Sequence, residues 1–282
     1  MPQSFLARVA VVTLAPLASL AAPVLLAAQR PTVTADLGLY SAYVWRGVTS
    51  TNRFVLEPDV TVALPMGRAR RTAVTLGAWT NIEPTRYDGA ADISPLGGAP
   101  GPAATSSQLW LEARRTLGTA AVTLGATRYL YPDVGDLSTT YATNELYVVA
   151  SGESLLGAAL SPSFGVYYDV QKVRGAYLEG ALSGDVGVPV GRGRAQAVTL
   201  SATVGYSAGQ GPDARGVQAA YFAHDGLTHA ELAARTALDF GAIGLAPTAH
   251  LVLGRDALVR VTSPDHSHAL KAWVGATLTW TR

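Results

Sequence analysis

The sequence predicts an all-β protein, a transmembrane antiparallel up-and-down β-barrel of about 12 strands. Three observations predict it. Apolar and polar residues alternate in many stretches, the connections between these stretches alternate in length, and the 49% apolar content includes no long apolar run after the N-terminus. Side chains in a strand point alternately to its two faces, so the alternation gives one apolar face and one polar face. That pattern in a secreted chain is typical of outer-membrane barrels.

Residues 1–29 have the layout of a secretory signal peptide. Arg8 gives a short basic region, a long apolar run follows, and small residues precede a cleavage site after Gln29. A retained transmembrane anchor is the alternative, and two prolines within the run weigh against it. We therefore expect two parts, the signal peptide at 1–29 and an outer-membrane β-barrel at 30–282.

Twelve alternating stretches after the signal are predicted to be strands. They span 34–47, 53–65, 72–82, 106–117, 119–130, 141–151, 156–170, 174–185, 196–207, 228–240, 244–254 and 268–281. Connections after the even-numbered strands are mostly short, whereas those after strands 3, 5, 9 and 11 are long. Outer-membrane barrels have short periplasmic turns and long outer loops. A soluble β-sandwich, the alternative fold, has no reason to separate loop lengths in this way. We therefore expect the outer membrane of a Gram-negative-type bacterium, with both termini periplasmic.

The composition limits the classes of partner that the chain is expected to bind. The 21 Lys and Arg residues nearly balance the 20 Asp and Glu residues, so no basic field attracts nucleic acid. Cysteine is absent, which excludes disulfides and thiolate metal sites. The predicted partners are outer-membrane lipid and small polar solutes, with no nucleic acid and no cofactor. The sequence does not predict an oligomeric state.

The polar face of the strands is predicted to line the lumen, and it carries charges of both signs. The predicted lumen-lining residues are Asp36, Arg46, Glu57, Asp59, Trp79, Glu112, Arg114, Glu145, Glu179, Glu231, Arg235, Asp239 and Lys271. A lumen of this width and polarity predicts a narrow porin-like channel for small polar solutes. A structural or scaffolding barrel that binds partners through its loops is the alternative, and a lipid-modifying barrel enzyme is the third hypothesis.

The segment Ser41-Ala42-Tyr43-Val44-Trp45-Arg46-Gly47 resembles the signature S-x-Y-x-[FW]-R-G of the Gcw_chp family, a group of uncharacterised bacterial outer-membrane-type proteins. Weaker similarities lie at 144–147, 161–169 and 175–179. The resemblance spans most of the mature chain and implies a barrel in the outer membrane, without implying a site. For Arg46 we weigh two positions, a lumen guanidinium paired with Glu57 or Asp59 and an exposed position at the rim.

The sequence offers little for catalysis. It has no G-x-S-x-G nucleophile elbow, and neighbouring residues such as Ser267 and His268 point opposite ways in a strand. We therefore predict no catalytic residues and no enzyme. No metal site is predicted either. The candidates are His266 and His268, which would share one side of an extended segment. They need further converging ligands, which Asp256 in the same loop and His224-Asp225 in another loop could add.

Overall fold

The computed structural model describes residues 30–67, 71–84, 102–132, 142–153, 159–191, 194–211, 221–222, 224–254 and 270–282. The predicted signal peptide lies outside these residues and stays a prediction. Within the described ranges, no helix is long and apolar enough to cross a membrane.

The described residues form one closed antiparallel barrel and one small inner hairpin. The strands are β1 (Thr32–Tyr40), β2 (Tyr43–Trp45), β3 (Val48–Thr51), β4 (Val55–Met66), β5 (Thr72–Glu83), β6 (Ala103–Leu117), β7 (Ala120–Leu130), β8 (Thr143–Gly152), β9 (Leu160–Asp169), β10 (Ala176–Gly191), β11 (Arg194–Ala208), β12 (Gly226–Thr236), β13 (Leu238–Asp239), β14 (Ile243–Gly254) and β15 (Leu270–Thr281). Strand β1 pairs with both β4 and β15, which closes the sheet. Strands β12 and β13 both pair with β14, so together they count as one strand of the barrel. The predicted twelve-stranded barrel is thereby confirmed.

The two faces of the barrel differ in the sense expected for a lipid-embedded protein. Large apolar side chains lie exposed on the outside, including Leu111 at 54%, Leu124 at 55% and Leu232 at 59% exposure. Buried side chains inside the barrel include the charged residues Glu145 and Asp169, at 2% and 1% exposure. A soluble protein buries its aliphatic residues and exposes its charges, so this distribution indicates an acyl environment outside.

The connections fall into two classes, one at each end of the barrel. At the end that holds Thr32 and Thr281, here called the terminal end, they contain two to seven residues. At the opposite end, here called the hairpin end, they contain six to nineteen. Strands β10 and β11 run further towards the terminal end than predicted, so the expected connection at 186–195 shrinks to 192–193.

The first predicted strand, 34–47, is wrong in its second half. The barrel strand ends at Tyr40, and the chain then turns inwards to form the β2–β3 hairpin. The expected short loop at 48–52 is therefore part of this hairpin. Its turn is made by Arg46 and Gly47, whose φ angles are 49° and 78°. Two consecutive positive φ angles are the geometry of a type I′ turn, the tight connection that best suits a twisted hairpin.

Candidate functional site in the barrel lumen

The inner hairpin spans the lumen from one wall to the opposite wall. It starts between β1 and β4, and its tip reaches β8. There Arg46 donates two hydrogen bonds to Glu145, from Nη1 to Oε2 and from Nη2 to Oε1, both 2.8 Å long. The Tyr129 hydroxyl donates a third bond to Glu145, at 3.0 Å. A bidentate Arg–carboxylate pair fixes both groups in position, so it holds the hairpin tip against the far wall.

Aromatic rings complete the surroundings of the Arg46 guanidinium. Its central carbon lies 4.4 Å from the ring centroid of Trp45, 4.8 Å from that of Tyr167 and 4.3 Å from that of Tyr177. These distances are within the range of cation–π attraction. Within the lumen, the Arg46 guanidinium is thus held by one carboxylate and three aromatic faces. The sequence placed Arg46 in the lumen, but the partner is Glu145 rather than the expected Glu57 or Asp59.

Further contacts fill the hairpin end of the lumen. Tyr43 packs against Trp79, with ring centroids 5.5 Å apart, and Trp45 packs against Tyr129 at 5.8 Å. The Thr51 hydroxyl donates a 2.6 Å hydrogen bond to the buried carboxylate of Glu83. These contacts pack the hairpin against the barrel wall near its base and near its tip.

A turn beside the hairpin end is organised by a single carboxylate. Asp225 Oδ1 accepts hydrogen bonds from the Ser207 hydroxyl and from the backbone amides of residues 209–211, at 2.8–3.1 Å. Partial burial raises the pKa of this carboxyl. The hydrogen bonds from Gly211, Ser207, Gly209 and Gln210 outweigh that effect and lower its pKa below the ordinary value of 3.8.

Beneath the hairpin lies a cavity of about 730 Å³. Among the described residues its charged lining consists of five carboxylates and two guanidinium groups: Glu57, Asp59, Glu112, Glu145 and Glu179, with Arg46 and Arg114. Its aromatic lining comprises Tyr40, Tyr43, Trp45, Trp79, Trp110, Tyr129, Tyr147, Tyr167 and Trp273. The cavity is therefore acidic and aromatic at once, and we call it the acidic chamber.

Neutral groups satisfy three of the carboxylates. The Trp79 indole N–H donates to Glu57 at 3.2 Å, the Tyr147 hydroxyl donates to Glu112 at 2.8 Å, and the Tyr177 hydroxyl donates to Glu179 at 3.2 Å. These donors orient the carboxylates without cancelling their charge. The Glu145 charge, in contrast, is compensated by Arg46.

The structure distributes the thirteen predicted lumen residues unevenly. Eight line the acidic chamber: Arg46, Glu57, Asp59, Trp79, Glu112, Arg114, Glu145 and Glu179. Asp36 lies directly opposite Asp59 in the β1–β4 register. Lys271 donates a hydrogen bond to Asn52 beside the hairpin, and Arg235 is an exposed residue on the inward side of β12.

Asp239 departs from the prediction most clearly. It is exposed as the last residue of β13, where its Oδ1 accepts a 2.7 Å hydrogen bond from the Gly241 amide of the following turn. The alternation placed it on the polar face, but the regular strand breaks at Ala237, so Asp239 caps a turn instead of facing the chamber.

Glu231 belongs to a separate network on the other side of the lumen. Its Oε1 lies 2.5 Å from His250 Nδ1, and His250 Nε2 lies 2.7 Å from the Thr248 hydroxyl. The imidazole stacks on Trp273, with ring centroids 3.6 Å apart and an angle of 9° between the planes. If the proton is on Nδ1, the imidazole donates to the carboxylate and accepts from the hydroxyl. We call this set the Thr–His–Glu relay.

Sequence reasoning missed several members of the site. It did not single out Tyr147 or Tyr177, which orient two carboxylates, or His229, which stacks on Tyr177 with parallel rings 6.5 Å apart. Each of them lies two positions along the same strand from a predicted lumen residue, namely Glu145, Glu179 and Glu231, and therefore faces the same side of the strand. This spacing was the signal by which the sequence could have identified them.

The proposed metal ligands receive no structural description. His266 and His268 lie outside the described residues. Within the part of the chain that the structure covers, no group of three His, Asp or Glu side chains is placed to hold a metal ion.

No protein-family model and no curated protein matches the sequence. Solved barrels do resemble the fold. LpxR from Salmonella typhimurium is 10% identical with a TM-score of 0.49, covering 88% of this chain and 99% of its own. An outer membrane channel from Pseudomonas putida F1 is 14% identical with a TM-score of 0.45, covering 89% and 94%. The translocator domain of the autotransporter NalP from Neisseria meningitidis is 10% identical with a TM-score of 0.41, covering 94% and 92%.

The closed sheet, its apolar outer face and its polar interior define an outer-membrane β-barrel protein. One prediction is corrected here. We inferred from the sequence that the chain is not an enzyme, and that inference is contradicted, because the solved barrels that resemble its fold include the enzyme LpxR. A barrel of this kind is therefore compatible with catalysis.

Proposed function

We propose that the protein is a narrow outer-membrane channel for small polar solutes, constricted by its inner hairpin. The observation that carries the proposal is the acidic chamber, a polar cavity of about 730 Å³ inside a closed barrel. The short turns of the terminal end support an orientation with both termini in the periplasm, because outer-membrane barrels keep their short turns on that side.

The lining charges favour passage of cations. Five carboxylates face two guanidinium groups in the chamber, and one of those guanidinium groups is neutralised by Glu145. Rings of acidic side chains select cations in other channels because they lower the energy of a cation in the narrow path. We therefore expect potassium to permeate better than chloride.

Single-channel recording in planar bilayers tests the proposal. Folded protein, verified by heat-modifiable migration on a gel, is expected to give discrete conductance steps. In a potassium chloride gradient, the reversal potential is expected to have the sign that corresponds to potassium permeating better than chloride. Folded protein that inserts into the bilayer and gives no steps would contradict a channel.

A hydrolytic barrel is the second candidate function, and the Thr–His–Glu relay favours it. A hydroxyl hydrogen-bonded to an imidazole, with a carboxylate on the second ring nitrogen, is the arrangement that activates an oxygen nucleophile. In this reading His250 removes the Thr248 proton, and Glu231 stabilises the resulting imidazolium.

Hydrolysis of a p-nitrophenyl ester by folded protein tests this second candidate. Activity that is lost in both His250→Asn and Thr248→Val would support it, because the first variant removes the base of the relay and the second removes its hydroxyl. If the wild type is no more active than the two folded variants, or shows no activity above buffer, a hydrolytic function is ruled out. His224→Asn is the matched control, since His224 is exposed and lies in a connection outside the relay.

A further inference from the structure

We propose that the acidic chamber binds a small organic cation that carries an ammonium or guanidinium group. The inference rests on the proposed function in one respect, namely that a solute reaches the chamber through the lumen. It goes further by naming the chemical class of that solute and the side chains that hold it.

The Arg46 site shows how this lumen binds an organic cation. The guanidinium there has one bidentate carboxylate and three aromatic faces at 4.3–4.8 Å. The carboxylate supplies charge and the rings supply cation–π attraction, which strengthens as water is excluded. The hairpin thus places a built-in organic cation at one side of the lumen.

The chamber has further carboxylates beside aromatic rings that, unlike Glu145, are not paired with Arg46. Glu57 is oriented by Trp79, and Glu112 is oriented by Tyr147, with the Trp110 ring beside them on the lining. Among the described residues on the lining, Arg114 is the only guanidinium besides Arg46, and it is exposed. On this lining the carboxylates therefore outnumber the guanidinium groups, and they lie next to aromatic faces.

One unpartnered acceptor adds to this description. Asp36 Oδ1, on the residue opposite Asp59, is buried without a hydrogen-bond partner. A buried carboxylate oxygen without a donor is costly. A nearby cation would offset that cost, whereas an anion would increase it.

The charge and the volume together select the ligand class. An anion is excluded by the excess of carboxylates, and an inorganic cation would leave the aromatic faces unused. A solute such as choline is small enough to fit in the chamber of about 730 Å³, where it can contact both the carboxylates and the aromatic rings. Recognition of quaternary ammonium groups by aromatic cages is an established use of this chemistry.

Tryptophan fluorescence provides the test, because Trp79, Trp110 and Trp273 line the chamber. Full-length protein folded in a maltoside detergent, which has no choline headgroup, is titrated with choline chloride. The parallel titrations use sodium chloride and 3,3-dimethyl-1-butanol, the uncharged analogue of the same shape. We expect a saturable change with choline and binding of the analogue that is weaker by about tenfold or more.

Variants then assign the binding to the chamber. The double variant Glu57→Gln and Glu112→Gln is expected to weaken choline binding by about tenfold or more. Asp239→Asn is the matched control and should bind choline like the wild type, because Asp239 caps a turn away from the chamber. If the double variant does not fold, the comparison of choline with its uncharged analogue still decides the question in wild-type protein.

The outcomes separate this inference from the channel itself, because fluorescence in micelles does not require conduction. Choline binding without conductance steps would keep the cation site and reject the channel. Conductance steps without saturable choline binding would reject the cation site alone. Equal binding of the uncharged analogue, or equal weakening by Asp239→Asn, would also overturn the inference.

Discussion

At the residue scale, Arg46 has an unusual set of properties. It has a positive φ of 49°, its side chain is 8% exposed, and it forms a bidentate pair with Glu145. A positive φ is uncommon for a residue other than glycine, and such conformations persist where the surroundings enforce them. Here the enforcing contacts are the carboxylate and the three rings. Arg46 therefore connects the local turn to the far wall of the barrel.

Removing the Arg46 charge should destabilise the folded barrel. We expect Arg46→Met to lower the free energy of unfolding by about 3 kcal/mol, because it leaves the buried Glu145 carboxylate unpaired. The double variant Arg46→Met and Glu145→Gln should recover part of the loss. Urea unfolding in lipid vesicles measures both values, and Arg194→Met, at an exposed strand end, serves as the control. A double variant as unstable as the single variant would contradict this account of the pair.

The Asp225 carboxylate predicts a pH dependence. Its pKa is lower in the folded protein than in the unfolded chain, so its charge stabilises the fold above the ordinary pKa of 3.8. That contribution is lost as the pH falls through the lowered pKa. The melting temperature of wild type should therefore exceed that of Asp225→Asn at pH 6, and the difference should disappear well below pH 3.8. A difference that is independent of pH would show that the charge is not responsible.

At the element scale, the β2–β3 hairpin marks the limit of the alternation argument. Residues 41–51 continue the β pattern of the first strand, so the sequence alone reads as one strand up to residue 47. The dipeptide Arg46-Gly47 was the local signal for a tight turn. Its direction into the lumen depends on Glu145, which is 99 residues away in the chain, so no local pattern could provide it.

Removing the hairpin should widen the path through the barrel. Replacing residues 42–52 with a short Gly-Ser linker is expected to raise the single-channel conductance several-fold, because this segment crosses the lumen from wall to wall. Heat-modifiable migration checks that the variant folds. An unchanged conductance in folded protein would mean that the hairpin does not limit the path.

Glycines on the inner face are covered by aromatic rings from neighbouring positions. Two of them show which rings occupy the space that a side chain would need. A Cβ at Gly77 would overlap the Trp110 ring, and a Cβ at Gly125 would overlap the Tyr147 ring. These glycines therefore create the space in which the chamber's aromatic side chains lie flat against the wall, an arrangement also used to protect glycines in designed sheets.

Filling one of these spaces should disturb the chamber. We expect Gly125→Ala to lower the free energy of unfolding by about 1–3 kcal/mol, because the Tyr147 ring must move and its bond to Glu112 weakens. The matched control is Gly180→Ala, a strand glycine at which an added Cβ meets no atom within 4 Å. Urea unfolding compares the two. Equal effects would mean that the ring contact at Gly125 is unimportant.

At the scale of the whole molecule, most of the fold follows from the sequence and much of the site does not. A strand forms where apolar and polar residues alternate locally, so the number of barrel strands and most of the connections could be predicted from alternation and loop length. The pairing of Arg46 with Glu145 depends on how the barrel brings distant parts of the chain together, and the contact of His250 with Glu231 depends on the register of two neighbouring strands. The alternation along each strand predicts that such residues face the lumen, but it does not predict which of their side chains are in contact.

The central claim is that an acidic path inside the barrel conducts polar solutes. Because the natural chain has no cysteine, single-cysteine variants can test it in one recording. Asp59→Cys places the thiol on the chamber lining, and Val60→Cys places it on the exposed outer face. A cationic methanethiosulfonate reagent is expected to reduce the single-channel current of Asp59→Cys and to leave that of Val60→Cys unchanged. An unaffected current in Asp59→Cys, or an equal block in both variants, would contradict the account.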